Sequence, residues 1–186
     1  MSAVCLVLVP EGIAHVPPAA ALFWLGAGGV AFMFADRALK SHGGGAAQLM
    51  AMLLDFVPEA MALGAILASD RTRAMLLALL IALQNLPEGF NAYREVLAAH
   101  KIRPWRLLAL FAALACIGPA SAAFGLLYLE SHAAILGALM LFSGGGILYL
   151  MFQDIAPQAV LERHWVPPLG AVAGFMLGLA GYLYLP

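Results

Sequence analysis

Charge is what this sequence has least of. Only 10% of its 186 residues are Asp, Glu, Lys or Arg, against 64% apolar, and the mean hydropathy is +0.95. Soluble domains are about a quarter charged. A water-facing surface cannot be built from this composition, so lipid must be the solvent for much of it. Basic runs are also absent, and the formal net charge is −1, which leaves nothing to attract nucleic acid. Cysteine is scarce. Cys5 and Cys116 stand alone in apolar stretches, which excludes a disulfide framework and a thiolate metal site and reads both as small buried hydrophobes. No alternation of the barrel type is present. Residues 1–9 are apolar but lack the basic flank and small-residue cleavage site of a signal peptide, and are too short to span a bilayer. They read as the tail of a longer helix.

What is present is a series of long apolar runs. A chain of this length holds roughly six or seven spans of about 20 residues, with little left for loops. The expected fold is therefore all-α: one transmembrane domain over residues 1–186, a polytopic helical bundle of about six full spans plus an N-terminal helix stub. The spans fall near residues 19–38, 46–69, 75–98, 105–129, 133–156 and 167–185. Short separators rich in Gly, Pro, Ser and charge lie between them, so neighbouring helices form antiparallel hairpins. Seven of the nine basic residues (Arg37, Lys40, Arg94, Lys101, Arg103, Arg106 and Arg163) fall at one set of alternating ends, and only Arg71 and Arg73 at the other. The positive-inside rule then puts the first, third and fifth inter-span loops in the cytoplasm of a cell or inner membrane, and the C-terminus outside.

The informative residues are acids inside the apolar runs. The second span reads Leu54-Asp55-Phe56-Val57-Pro58-Glu59-Ala60, and the third Leu83-Gln84-Asn85-Leu86-Pro87-Glu88-Gly89. Each has a Pro-Glu pair, with a polar residue four positions before the Glu. Asp55 and Glu59 therefore share one helix face, as do Gln84 and Glu88, and antiparallel neighbours can turn these faces together. Pro58 and Pro87 have no N–H for the carbonyls of Leu54 and Leu83, which adds backbone oxygens to the candidate donor set. A central acid costs about 2.5–3.5 kcal/mol on insertion scales. Asp55, Glu59 and Glu88 together cost on the order of 8–10 kcal/mol if additive. No Lys or Arg stands at matching depth in the sequence, so a divalent cation or protonation must compensate. Asp36, near Arg37 and Lys40, reads as a surface pair, and Arg94 and Glu95 as residues snorkelling at a span end. All five histidines fall in or beside loops, and His42, before three glycines, could meet a metal there. The run Gly144-Gly145-Gly146, inside an apolar helix, reads as a close helix-packing surface.

At these residues the chain resembles the ZIP family of divalent-metal transporters, in a bacterial branch. Gln84-Asn85-Leu86-Pro87-Glu88-Gly89 is similar to the motif of that family's fifth helix. Asp55-Phe56-Val57-Pro58-Glu59-Ala60 is similar to that of its fourth, with Asp55 where the family has His and Phe56 where it has Asn. Gly144 to Pro157, with Tyr149 and Gln153-Asp154-Ile155-Ala156-Pro157, is similar to its seventh helix, and Val7-Leu8-Val9-Pro10-Glu11-Gly12 to the end of its second. The family's first helix has no counterpart here. A Glu that precedes a Pro on the sixth helix, and helps bind a second metal in some members, is Gly118 before Pro119.

The resemblance implies movement of a divalent metal ion, zinc with manganese or iron as alternatives, toward the cytoplasm without ATP. Asp55, Glu59, Gln84, Asn85 and Glu88 are the implied metal site, with Glu11, Gln153 and Asp154 along the pathway or at its cytoplasmic exit. The metal is cargo, and no organic cofactor and no catalytic residue are implied. The partners are the lipid bilayer and the metal ion, with a homodimer as one admissible assembly. A transport-inactive ZIP-like membrane interaction protein is the alternative. An intramembrane enzyme using paired carboxylates is a weaker one, because no nucleophile with a base is present.

Overall fold

The computed structural model describes residues 1–41, 47–158 and 165–184, and no strand occurs among them. The described helices are α1 (Val4–His15), α2 (Pro18–Ser41), α3 (Ala47–Ser69), α4 (Arg71–Ala99), α5 (Pro104–Tyr128), α6 (Ala133–Leu150) and α7 (Val166–Tyr184). Local chemistry sets several of their ends. Val16 precedes a proline and is extended, at φ −136° and ψ 153°, which closes α1. Asp70 caps α4, its carboxylate accepting from the Arg73 N–H at 3.0 Å, and so satisfies one of the free donors of the first turn. Pro104 opens α5, where its missing N–H costs nothing. Inside α5 the chain turns at Cys116, one residue past Ala115, whose carbonyl has no N–H from Pro119 to accept. A wider π-helical turn over Val4–Leu8 accompanies Pro10, which likewise cannot donate. A second, Met151–Ile155, extends α6.

Among the described residues, four stretches are long and apolar enough to cross a membrane: Pro18–Ala38, Pro104–Tyr128, Ala133–Gln153 and Val166–Tyr184. Of the six full spans expected, four satisfy this measure. α3 and α4, of 23 and 29 residues, have the length, and they carry Asp55, Glu59, Gln84, Asn85 and Glu88. Both run on through their internal prolines, Pro58 and Pro87. Large apolar side chains face outward, including Leu22, Phe23 and Phe34 on α2 and Leu169, Met176 and Leu183 on α7. In water this would be an apolar surface far larger than soluble monomers carry. Against lipid it is the expected exterior.

The helices pack as two groups. α6 lies along α2 and α1, while α3 lies along α5 and α4, and α3 meets α6 between the groups. Consecutive helices from α3 to α6 are joined by short links, so α3 and α6 run antiparallel. Backbones approach closely where side chains are missing. A Cβ added to Gly145 would strike the Leu25 backbone of α2, and one added to Gly28 would strike Phe142 of α6. Gly64 and Gly125 allow the same approach between α3 and α5. Such small-residue contacts are how membrane helices gain packing without a hydrophobic drive, and the glycine run 144–146 acts as its composition implies. The central apolar cluster joins Val4, Val7 and Leu8 of α1, Ala62, Ala65 and Ile66 of α3, Leu77, Leu80 and Ile81 of α4, and Leu136, Met140 and Ile147 of α6. At one end of the bundle Arg73 pairs with both Asp70 and Glu11, tying α4 to α1.

Candidate metal site

One face of α3 carries Asp55, Glu59, Ala62 and Ile66 at helical spacing, and all four are buried. The lower half of this stripe is therefore acidic and the upper half apolar. Glu59 is 0% exposed and Asp55 4%. Burying two carboxylates one turn apart is unfavourable unless something compensates their charge and their desolvation. Part of the compensation comes from α4. The Gln84 amide donates to Asp55 Oδ2 at 2.9 Å and reaches Glu59 Oε1 at 3.5 Å, so one neutral NH₂ group spans both acids. Asp55 Oδ1 and Glu59 Oε2 are buried without a partner. Among the described residues no Lys or Arg pairs with either acid.

Asp55, Glu59 and Gln84, three of the five residues expected at a metal site, are thus brought together as one cluster. Asn85 is turned back onto its own helix, its Nδ2 donating to the Ile81 carbonyl at 2.9 Å. Glu88 lies one turn beyond Gln84 on α4 and is half-buried. No set of three His, Cys, Asp or Glu stands close enough to hold a metal among the described residues. What exists is a pair of carboxylates with an amide, two of whose oxygens are unused. That donor set is all oxygen, which suits harder divalent ions better than soft ones. Gln84 also lines an apolar cleft of about 790 Å³ between α4, α7 and residues 1–3, whose walls include Leu80, Phe175 and Gly178.

Phe56, next to Asp55, places its ring against Gly118 of α5, in space that a Cβ there would occupy. Two of the positions that depart from the family motif, Phe56 and Gly118, are therefore neighbours that fill one another.

Other expectations are corrected. Asp36 is buried rather than at the surface, and its Oδ2 accepts from the Tyr149 hydroxyl of α6 at 3.2 Å. Cys5 and Cys116 are exposed, not buried; in an apolar exterior a thiol can face lipid as readily as core. Glu11 sits with Arg73, at the end of the bundle where α3 turns into α4. Gln153 itself is exposed beside Tyr149 and Phe152. His42 and the Asp154 side chain lie outside the described residues. Ser143 of α6 was not singled out by sequence, yet it is 0% exposed with an unpartnered hydroxyl. Its only sequence signal is its spacing from Leu136, Met140 and Ile147.

Comparison with protein families gives a match to the ZIP zinc transporter model over residues 36–185, a stretch that contains every residue of the acid–amide cluster. Comparisons with curated proteins and with solved structures give no match. The matched family is one of metal transporters, not of enzymes, and the helices are of the length and composition that a multi-pass membrane protein requires. With most of its length covered by that model, this chain belongs to the ZIP zinc transporter family.

Proposed function

We propose that this protein carries divalent metal ions, zinc with manganese and iron as competitors, into the cytoplasm through a site formed by Asp55, Glu59, Gln84, Asn85 and Glu88. The observation that carries this reading is the pair of buried carboxylates on α3, each with an unpartnered oxygen, in a chain of a metal-transporter family. A cation between those oxygens would supply the missing compensation. Gln84, a neutral group that now spans both acids, can rotate aside or stay as an amide-oxygen ligand. On this reading α3 and α4 also cross the bilayer, which makes six spans, in the cell or inner membrane.

Metal choice gives the direct test. Zinc is commonly held by nitrogen and sulfur in tetrahedral sites, and no His or Cys belongs to this cluster. Asp55 in place of the family's His moves the donor set toward oxygen and adds charge. Zinc uptake by proteoliposomes is therefore expected, and excess Mn²⁺ should suppress it in the native protein. Asp55→His should weaken that suppression about tenfold or more, as one nitrogen ligand favours zinc. Zinc uptake indifferent to manganese in both proteins would remove Asp55 from selectivity. A correctly inserted protein that moves none of the three ions would leave the membrane-interaction reading in its place.

Orientation is tested separately. In a background without Cys5 and Cys116, single cysteines at Lys101 and at His132 are expected to react with an impermeant maleimide from opposite sides of intact cells, His132→Cys from outside. Reaction of both from outside defeats the proposed topology.

A further inference from the structure

We propose that the hydroxyl of Ser143 on α6 is a further oxygen donor of the site, meeting the same cation from the side opposite α4. This rests on the reading that Asp55 and Glu59 hold the metal. Three buried side-chain atoms lack a hydrogen-bond partner among the described residues: Asp55 Oδ1, Glu59 Oε2 and Ser143 Oγ. A serine inside a helix ordinarily disposes of its hydroxyl by donating to the carbonyl four residues back. Ser143 makes no such bond, although it is 0% exposed, in a helix with no other hydroxyl or charge between Ala133 and Tyr149.

Helix register puts that hydroxyl at the depth of Glu59. α3 and α6 are antiparallel and in contact. Ile66 lies three residues before the end of α3, and Leu136 three after the start of α6. Both are buried in the central cluster with Leu129, from the turn that leads into α6. Seven residues along each helix from that common level, about 10 Å, stand Glu59 and Ser143. Intervals of four and seven residues keep one face. Ile66, Ala62 and Glu59 form the stripe on α3, while Leu136, Met140 and Ser143 form the stripe on α6, and the apolar members of both are in the one cluster. The polar member of each stripe comes at the same step. A neutral hydroxyl beside two carboxylates and an amide makes an oxygen set for a hard divalent ion, and a ligand rather than a neighbour would complete all three orphan atoms.

Two substitutions test this in protein lacking Cys5 and Cys116. Ser143→Cys exchanges the oxygen for sulfur. Cd²⁺ uptake relative to Mn²⁺ should rise about tenfold or more, because thiolate prefers softer ions, and bound Cd²⁺ should show the ultraviolet charge-transfer absorption of a cadmium–thiolate bond. Ser143→Ala, which removes the donor without adding bulk, should raise the KM for metal about tenfold while the metal-free protein melts as the parent does. Parental KM in Ser143→Ala, with a parental Cd²⁺/Mn²⁺ ratio and no absorption band in Ser143→Cys, would overturn the proposal. If Glu59→Gln is inactive in that same series, the carboxylate site stands without Ser143. If Glu59→Gln transports as the parent does, the site reading falls and this proposal with it. A hydroxyl that merely binds a buried water has no reason to change metal preference, so the Cd²⁺/Mn²⁺ ratio separates that case as well.

Discussion

Proteoliposomes holding Glu59→Gln should take up no more zinc than empty vesicles, while the variant inserts at least as well as the parent. The substitution keeps the shape of a side chain that is 0% exposed and removes only its charge. Two opposite unit charges at 4 Å attract by about 4 kcal/mol at an effective dielectric near 20, and a dication doubles this. Even after a large discount for the lost desolvation penalty, several kcal/mol of metal affinity disappear, or three or more powers of ten. Insertion changes the other way, because a central acid opposes it by about 2.5–3.5 kcal/mol and the amide opposes it less. Glu88→Gln, at a half-buried position, should lose transport with a smaller gain in insertion. Added metal should raise the melting temperature of the parent, as any ligand of the folded state does, and leave Glu59→Gln unmoved. Parental uptake by both variants would make the acids structural.

The second large effect concerns folding. Gly145→Leu should yield almost no folded protein, whereas Gly26→Leu should express like the parent. Both glycines lie in long apolar helices, yet their surroundings are opposite. A Cβ at position 145 runs into the backbone of Leu25, with the Gly29 nitrogen close behind, while nothing lies within 4 Å of one at position 26. Backbone cannot change rotamer to make room, so α2 and α6 must separate and lose their shared contacts. Such overpacking costs on the order of 3 kcal/mol or more. Detergent-extracted yield and thermal melting of the two variants decide it. Equal yields would mean that α2 and α6 do not pack through that glycine.

The acid pair could be read from sequence because its signal is local. Asp55 and Glu59 stand four apart, and a helix must place them together whatever surrounds it. Partner choice across helices was not local. Gln84 and Glu88 share a face of α4, but which turn of α4 meets Asp55 depends on the packing of α3 on α4. The structure hydrogen-bonds Gln84 to the acids and sets Glu88 one turn further along α4, near enough for its charge to act on both. Asn85 was unreadable for another reason: an amide can always return to its own backbone, as it does at Ile81. Ser143 sits in a helix that is apolar on every side, where no contrast marks the inner face. Asp36 has Arg37 and Lys40 beside it in sequence, which implies a surface, whereas the Tyr149 hydroxyl that donates to it lies 113 residues away. Four of the six apolar runs stand among the described residues as helices long and apolar enough to span, while α3 and α4 carry the polar residues that make a span hardest to recognise.

The ring of Phe56 lodged against Gly118 has an electrical consequence. With an aromatic ring against position 118 and no carboxylate on α5, the site proposed above would seat a single ion. Without a counter-ion, each passage would move two elementary charges. A charge crossing the whole potential of a membrane gains about 2.3 kcal/mol per 100 mV, so one dication gains about twice that. An interior-negative membrane would thereby draw the ion inward by roughly three powers of ten in concentration per 100 mV, a driving force that needs no nucleotide and scales with voltage.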